Sequence, residues 1–300
     1  MELRVLNYFL AIAREENITK AAQSLHVTQP TLSRQIAQLE EELGVQLFTR
    51  SNHHINLTED GMILKRRAQE MLSLADKTKR ELLHREDALT GEITIGSGEF
   101  QSTQFLSQLI ASFREKHPLV RYEIHSGNST NIQEYMERGL LDLGLMTEPI
   151  DIRKYDFAYA RQKEICGILV RRDSELAKKE AVTPEDLIPY PLILPSGSIT
   201  NSRIEKWFGD YAGEIKLAAT GNLLYNQAMM AESGIGISVG IKLECEYKNL
   251  CFVPLSPALE YGTVLAWKKE QVFSSATTAF IEHVKAYVKE YAKGIDDDER

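Results

Sequence analysis

Polar side chains between residues 28 and 38 are the first group in this chain whose types and spacing could do chemistry. They carry hydroxyl, amide and guanidinium groups: Thr28, Gln29, Thr31, Ser33, Arg34 and Gln38. Arg and Gln side chains form paired hydrogen bonds with guanine and adenine edges, and hydroxyl groups reach phosphates or bases. These residue types therefore indicate contact with double-stranded DNA, the alternative being an ordinary solvent-exposed polar face.

The surrounding residues predict a helix that would present this polar face. Thr28 is expected to cap it, Pro30 lies in its first turn, where the missing N–H breaks no internal hydrogen bond, and Gly44 ends it. Its buried side is predicted from apolar residues three or four positions apart: Leu32, Ile36, Leu39 and Leu43.

Two helices before this one and a hairpin after it complete the predicted unit. The first is expected to pack through Leu3, Leu6, Phe9, Leu10 and Ala13. Thr19 would cap the second. Its inner face and the following turn would comprise Ala21, Ala22, Leu25, His26 and Val27. Helix, turn, helix and hairpin in this order describe a helix-turn-helix with a wing, which favours DNA over a plain polar face.

The segment AAQSLHVTQPTLSRQIAQLEEELGVQLFTR, followed by LTEDG, resembles the signature of the LysR-type transcriptional regulators. The resemblance extends over about the first sixty residues. It implies a winged helix-turn-helix, a long dimerising linker helix and a C-terminal two-lobed effector domain. It also implies that base and phosphate contacts fall on Gln29, Pro30, Thr31, Ser33, Arg34 and Gln38.

The predicted wing departs from the family pattern, which is usually rich in arginine. Here Arg50 is followed by Ser51, Asn52, His53 and His54. Arg50 and His53 are expected to contact DNA. The contact would be weaker than in the family because arginine is scarce, or it would depend on pH because histidine titrates at pH ~6.5. Alternatively, the two histidines are exposed and inert. A metal site is not expected, because no cysteine or carboxylate follows at ligand spacing.

A long helix is predicted after the wing. Thr58 would cap it, and Glu59 and Asp60 would favour its positive N-terminal end. A narrow heptad seam follows, whereas a helix packed only on its own domain would show a broader stripe. The seam therefore predicts a dimer or tetramer through Leu64, Ala68, Met71, Ala75, Thr78 and Leu82.

From residue 91 short apolar strands alternate with amphipathic helices, which predicts parallel strand pairs and an α/β fold. The pattern occurs twice, which indicates two lobes like those of periplasmic binding proteins, and the family resemblance implies the same layout. The predicted domains are a winged helix-turn-helix at 1–58, a linker helix and hinge at 59–90, and an effector domain at 91–300. Lobe I would comprise about 92–161 plus 267–300, and lobe II about 162–266.

Polar turns after the predicted strands form the candidate ligand site, since ligands of open α/β sheets bind there. Hydroxyl and amide groups converging on a cleft could hold a small molecule, although any one of them could equally be only a helix cap. The candidates are Ser97, Glu99, Phe100, Gln101, Ser102, Ser129, Thr130, Ser196, Thr200, Asn201, Arg203 and Asn222.

Glu99 and Phe100 occupy the first of these turns, where the family commonly has a hydroxyl residue. A carboxylate at the mouth of a cleft repels an anion unless Arg or Lys answers it, and Arg203 is the nearest candidate in the sequence. We therefore expect an uncharged, amino-bearing or aromatic effector rather than a simple dianion.

Composition sets further limits. The net charge of −8 is unevenly distributed, with −1 in residues 1–90 and −7 in residues 91–300. Cys166, Cys245 and Cys251 form no CxxC motif, which fits a reducing cytoplasm. No apolar run approaches the ~18 residues of a membrane span, and no secretory signal is evident, so neither membrane association nor export is expected.

Two other classes of protein fit the sequence less well. A solute-binding protein of a transport system would need an export signal and would have no use for residues 1–90. An enzyme is disfavoured because GxGxxG and P-loop motifs are missing and Cys166 lies in an apolar strand pattern, EICGILV. The sequence favours a cytoplasmic, dimeric or tetrameric regulator without cofactor, whose contacts with promoter DNA change when a small effector binds.

Overall fold

A computed structural model describes residues 1–50, 55–83, 89–151 and 153–298, without the side chains of 50, 77, 80–83, 198–201 and 291–298. The chain divides into two units, Met1–Leu83 and His84–Arg300. The side chains of Arg50, Leu82, Thr200 and Asn201, and the whole of His53, therefore lie outside the described part. Among the described helices, none combines the length and apolar character that crossing a lipid bilayer demands.

The N-terminal unit has the predicted order of elements. They are α1 (Leu3–Glu15), α2 (Ile18–Ser24), α3 (Gln29–Leu43), β1 (Phe48–Arg50), β2 (Ile55–Leu57) and α4 (Glu59–Leu83). Strands β1 and β2 pair antiparallel as the hairpin of a wing. Three helices followed by this hairpin confirm the predicted winged helix-turn-helix.

Local side chains set where these helices begin and end. The Thr28 hydroxyl accepts the Thr31 N–H at 3.4 Å, and Gly44 ends α3 with φ of 70°. The Thr58 hydroxyl accepts the Gly61 N–H at 2.9 Å at the start of α4. The predicted cap of α2 is wrong. Asn17 caps this helix because its backbone is extended and its side chain accepts the Lys20 N–H at 3.0 Å.

The core of this unit is formed by α1, α2, α3, the hairpin and α4. Its buried residues are Val5, Leu6, Phe9, Ala11, Ile12, Ala21, Ala22, Leu32, Ile36, Leu39, Leu47, Phe48 and Ala68. Leu3 and Leu43, predicted to be buried, are 43% and 38% exposed. Both lie at helix ends, where the chain moves away from the core, while Val5 and Ile12 enter it because α1 contacts both α3 and α4.

Helix α4 packs on its own unit through part of the predicted dimer seam. Ala68 is fully buried in the N-terminal core, and Leu64 and Met71 are partly buried against the same cluster. Assigning Ala68 to a surface between chains is therefore wrong, because α1 already covers that side of α4. Ile63 and Leu74 are exposed instead.

The C-terminal unit alternates strands with helices. Its elements are β3 (Gly91–Ser97), α5 (Thr103–Lys116), β4 (Val120–Ser126), α6 (Ser129–Glu137), β5 (Leu143–Thr147), β6 (Tyr155–Arg171), α7 (Pro184–Leu187), β7 (Pro191–Pro195), α8 (Ser198–Phe208), β8 (Lys216–Gly221), α9 (Leu224–Glu232), β9 (Ile237–Ile241), β10 (Leu250–Pro254), β11 (Glu260–Lys268) and α10 (Ser275–Asp298). Turns of 3₁₀ helix lie at Glu175–Lys178, after β6, and at Gly209–Glu214, after α8.

The strands run in the order β4-β3-β5-β11-β6-β9-β7-β8, with β10 also paired to β6. Strand β3 is parallel to β4 and β5 in lobe I, and β7 is parallel to β8 and β9 in lobe II. Each lobe has its own apolar core, one around Phe113 and Phe280 and the other around Ile168 and Phe208. This confirms the predicted α/β fold with two lobes.

Two long strands carry the chain between the lobes. Strand β6 pairs with β11 up to Ile165 and then with β9 from Cys166 onward. Strand β11 has an irregularity between Tyr261 and Thr263 and pairs with β5 from Thr263. The return to lobe I is therefore near residue 262 rather than 267. Apolar patterning could not show this because β11 is continuous through both lobes.

Candidate nucleic-acid interface and ligand cavity

Helix α3 separates an apolar side from a polar one. Leu32, Ile36 and Leu39 are buried in the core of the N-terminal unit. The residues predicted to contact DNA are exposed, except that Ser33 is half-buried: Thr28, Gln29, Pro30, Thr31, Ser33, Arg34 and Gln38. The spacing of the buried residues therefore turns the polar residues outward together.

Contacts within this polar face hold several side chains in place. The Thr28 and Thr31 hydroxyl oxygens are 2.8 Å apart, and the Gln29 amide donates to the Ser33 hydroxyl at 3.0 Å. Within the described residues, Arg34 has no hydrogen bond or ion pair. Its guanidinium is free to meet a phosphate or a guanine edge.

A carboxylate on α3 also positions the wing. Glu40 Oε1 accepts the backbone N–H of Leu47 at 2.7 Å and that of Phe48 at 3.3 Å. The Phe48 ring packs on Phe9 with centroids 5.2 Å apart. Sequence reasoning missed Glu40, because a glutamate on the polar side of a helix carries no signal of a partner seven residues later. The expected contacts of Arg50 and His53 remain predictions.

A cavity of about 90 Å³ lies between the two lobes of the C-terminal unit. Its lining residues come from the carboxyl ends of strands and the starts of helices in both lobes. They are Gly98, Glu99, Phe100, Gly127, Asn128, Ser129, Thr147, Cys166, Pro195, Ser196, Ile204, Asn222, Leu224, Gln227, Val239, Gly240, Ile241 and Tyr261.

The predicted ligand residues divide into two groups. Those at the cavity are Glu99, Phe100, Ser129, Ser196 and Asn222. Those elsewhere are Ser97, Gln101, Ser102, Thr130 and Arg203. Ser97, Gln101, Ser102 and Arg203 form hydrogen bonds with other parts of the C-terminal unit. The Ser97 hydroxyl, for example, donates to the Gly98 carbonyl at 2.8 Å.

The Glu99 carboxylate accepts hydrogen bonds from the start of a helix and does not pair with Arg203. Its Oε2 accepts backbone N–H groups at the start of α9, those of Leu224 and Tyr225, the latter at 3.4 Å. Arg203 instead donates to the carbonyl oxygens of Glu148 and Glu260 at 3.3 and 3.4 Å. Arg203, the nearest candidate cation in the sequence, therefore binds backbone carbonyl groups rather than the Glu99 carboxylate.

Asn128 joins the lobes on another side of the cavity. Its side-chain carbonyl accepts the Asn131 N–H at 2.9 Å and caps α6, while its amide donates to the Ser196 carbonyl at 3.0 Å. Gln227 borders the cavity as well and donates to the Gly221 carbonyl at 2.9 Å. Neither residue was predicted to contact a ligand. An Asn before a helix signals only a cap, and Gln227 carries no local signal.

A buried carboxylate lies where β6 passes between the lobes. Glu164 is fully buried and accepts the backbone N–H groups of Gln101 and Ser102 at 2.8 and 3.0 Å. These residues precede α5, so Glu164 uses the donors that the sequence had suggested for a ligand. This explains why Gln101 and Ser102 lie away from the cavity wall.

Cys166 and Tyr261 form the buried wall on the lobe II side of the cavity. Burial raises the pKa of the Cys166 thiol to about 12 and also raises the pKa of Tyr261. The thiol is therefore protonated near neutral pH and is a poor nucleophile. Among the residues that the structure describes, no cluster of His, Cys, Asp or Glu could hold a metal ion.

The chain matches two family descriptions. Residues 3–62 match "Bacterial regulatory helix-turn-helix protein, lysR family", and residues 86–289 match "LysR substrate binding domain". Relatives in Bacillus subtilis (strain 168) include the uncharacterized HTH-type transcriptional regulator YybE, which is 28% identical over 97% of this chain and 100% of its own length. The HTH-type transcriptional regulator AlsR is 34% identical over 64% of each chain.

Solved structures share the fold. The LysR family regulator CbnR superposes with a TM-score of 0.73 at 21% identity, covering 95% of this chain and 99% of that one. Full-length CbnR complexed with its target DNA gives a TM-score of 0.71 at the same identity and coverage.

Proposed function

The chain belongs to the LysR family of DNA-binding transcriptional regulators, and on that premise we propose that α3 reads promoter DNA while a small effector binds in the cavity between the lobes. Regulators of this family bind promoter DNA, bind an effector in the substrate-binding domain and form oligomers. The relatives described above are regulators, so no catalytic step or cofactor is proposed, and the site of action is the cytoplasm.

The observation that carries the DNA-reading proposal is the exposed polar face of α3, with Arg34 free of partners in the described part of the chain. The proposed contacts are Thr28, Gln29, Pro30, Thr31, Ser33, Arg34 and Gln38 on α3, with Arg50 and His53 on the wing. The N-terminal 90 residues carry a net charge of −1, so sequence-independent attraction to phosphates is modest and base contacts matter more.

The proposed effector contacts are the polar residues that border the cavity from both lobes. They are Glu99, Asn128, Ser129, Ser196, Asn222 and Gln227, with Phe100 as an apolar wall. A ligand touching both lobes favours the arrangement in which they are closed, and it shifts the regulator only by its difference in affinity for the two states. Promoter contacts would change through that shift.

Self-association is proposed through α4. Ala75, Thr78 and Leu82 remain candidates from the predicted seam, and exposed Ile63 and Leu74 join them. Leu64 and Met71 contribute only their exposed parts. A two-fold dimer would place two copies of α3 on half-sites one helical turn or more apart.

Footprinting on genomic fragments retained by the full-length protein tests this function. The wild-type protein is expected to protect two half-sites. Arg34→Ala is expected to lose about 1–3 kcal/mol of specific binding free energy, because a base or phosphate contact disappears. Arg153→Ala is the matched control, since Arg153 is an exposed arginine of the C-terminal unit and forms an ion pair with Asp151. Equal footprints for wild type and Arg34→Ala would contradict the assignment of α3.

A further inference from the structure

Glu99 reaches from lobe I across the cavity to lobe II. Its Oε2 accepts the backbone N–H groups of Leu224 and Tyr225 at the start of α9. The N-cap of α9, Leu223, offers no side-chain acceptor of its own. The start of this nine-residue helix therefore receives its anion from the opposite lobe.

Backbone donors at a helix start that borders a cavity are a ready-made site for an acidic ligand. Here a carboxylate of the chain itself occupies them. Among the described lining residues Glu99 is the one charged side chain, and no Lys, Arg or His accompanies it. An entering carboxylate would therefore meet a like charge at the cavity surface. Arg203 lies outside the lining, 4.3 Å from the centre of the Tyr261 ring, and its guanidinium donates to the carbonyl oxygens of Glu148 and Glu260.

A second group at the same cavity points to a ligand independently. Tyr261 borders the cavity and is only 3% exposed, and apart from the weakly accepting thiol of Cys166 beside it, its hydroxyl has no hydrogen-bond partner among the residues that the structure describes. Buried hydroxyl groups normally have a partner, so this one offers a hydrogen bond to a molecule in the cavity. On the other side Glu99 uses only Oε2 for α9, which leaves Oε1 out of both contacts.

We propose that the Glu99 carboxylate occupies the position at the start of α9 that the carboxylate of an effector would take. The cavity therefore accepts small uncharged or cationic molecules and rejects simple carboxylates. The effector donates to Glu99, hydrogen bonds to Tyr261 and leaves the bridge between Glu99 and α9 in place. This inference rests on the proposed function only in taking the cavity as the effector site.

Thermal unfolding of the full-length protein, followed by tryptophan fluorescence, tests the proposal. Trp207 and Trp267 are the two tryptophans of the chain, so the signal reports on the effector unit. Wild type and Glu99→Ala are compared in acetate, acetamide and acetamidine, and in benzoate, benzamide and benzamidine. Each series offers three charge states of one shape, and chloride keeps the ionic strength constant.

Acetate is expected to stabilise Glu99→Ala, because it fills the vacated position at the start of α9. The apparent affinity for acetate should exceed that of wild type by about tenfold. Wild type is expected to favour benzamide and benzamidine over benzoate. Glu99→Gln should lose the preference for benzamidine, because the negative charge is gone while the shape is kept.

Equal stabilisation of wild type and Glu99→Ala by acetate or benzoate overturns the proposal. A Glu99→Ala protein that neither carboxylate stabilises also overturns it. If that variant does not fold, the Glu99→Gln comparison decides, and an unchanged order of ligands counts against the proposal.

Glu244→Ala is the matched control for these measurements. Glu244 accepts the Gln101 amide at 3.1 Å but does not border the cavity, so no carboxylate should restore stability to this variant. DNA is absent throughout, so failure of this inference leaves the footprinting test of the regulator untouched.

Discussion

Helices α3 and α9 both begin with backbone N–H groups that need acceptors, and they obtain them from different distances. In α3 the acceptor is the hydroxyl of Thr28, the residue immediately before the helix. In α9 it is Glu99, 125 positions earlier in the chain and on the other lobe. The local cap supplies an acceptor at the start of α3 without any distant residue, whereas the remote cap makes the start of α9 depend on how the lobes meet.

A second remote acceptor shows that the contrast extends beyond one helix. Glu164 lies 63 positions from Gln101, and their contact holds the segment that leads into α5. In the N-terminal unit Glu40 reaches only seven positions along the chain, to Leu47, although longer contacts such as the Ile55 N–H with the Glu16 carbonyl also occur there. In the C-terminal unit Glu99 and Glu164 make long-range contacts between the lobes, and such contacts are the ones that a ligand can strengthen or weaken.

Removing the buried remote acceptor is expected to have the largest effect. Glu164→Ala should lower the free energy of unfolding of the C-terminal unit by about 3 kcal/mol, because the buried backbone N–H groups of Gln101 and Ser102 lose their acceptor. Urea unfolding followed by tryptophan fluorescence measures it. Glu164→Gln keeps one acceptor oxygen and should lose less. A loss below about 1 kcal/mol for Glu164→Ala would show that the remote contact contributes little.

Removing the local cap of α3 should have a smaller and more confined effect. Thr28→Ala is expected to cost about 1 kcal/mol in the N-terminal unit, because the Thr31 N–H loses its acceptor. Far-ultraviolet circular dichroism should report an earlier transition while tryptophan fluorescence stays unchanged. Thr28→Ser keeps the hydroxyl and serves as the control. A shift of the fluorescence transition in Thr28→Ala would contradict an effect confined to the N-terminal unit.

The smallest expected effect is a pH response of a long-range contact between α5 and α10. Burial, with Lys116 and His117 nearby, lowers the pKa of His283, whose Nε2 lies 2.8 Å from the Ser112 hydroxyl. The unfolded chain then binds a proton more readily than the folded one, so stability is full above pH ~6.5 and falls as the pH drops below it.

Fluorescence-detected unfolding at pH 7.5 and 5.5 measures this response. His283→Gln should reduce the difference between the two pH values, because it removes the titrating group and keeps a polar side chain. An identical pH dependence in wild type and variant would assign the response to other groups.

Sequence patterns predicted the features whose causes lie within a few residues. Thr28, Pro30 and Gly44 set the bounds of α3, and the alternation of apolar strands with amphipathic helices gave the α/β unit. The pattern failed where a distant element supplied the contact. Ala68 was predicted to lie in a dimer seam, but it is buried in the N-terminal core, where α1 packs on α4. Arg203 was the nearest candidate cation to Glu99 in the sequence, but Glu99 accepts backbone N–H groups at the start of α9 instead.

The amino-acid sequence by itself determined the winged helix-turn-helix, the polar face of α3 and the turns at which a ligand site would form. Caps, glycine stops and apolar periodicity act between neighbours in the chain, so they can be recognised without the fold. Tertiary structure alone decided that Glu99 bridges to α9, that Glu164 occupies the donors before α5, and that Tyr261 borders the cavity. These contacts join residues far apart in sequence, and only the packing of the lobes determines which donor meets which acceptor.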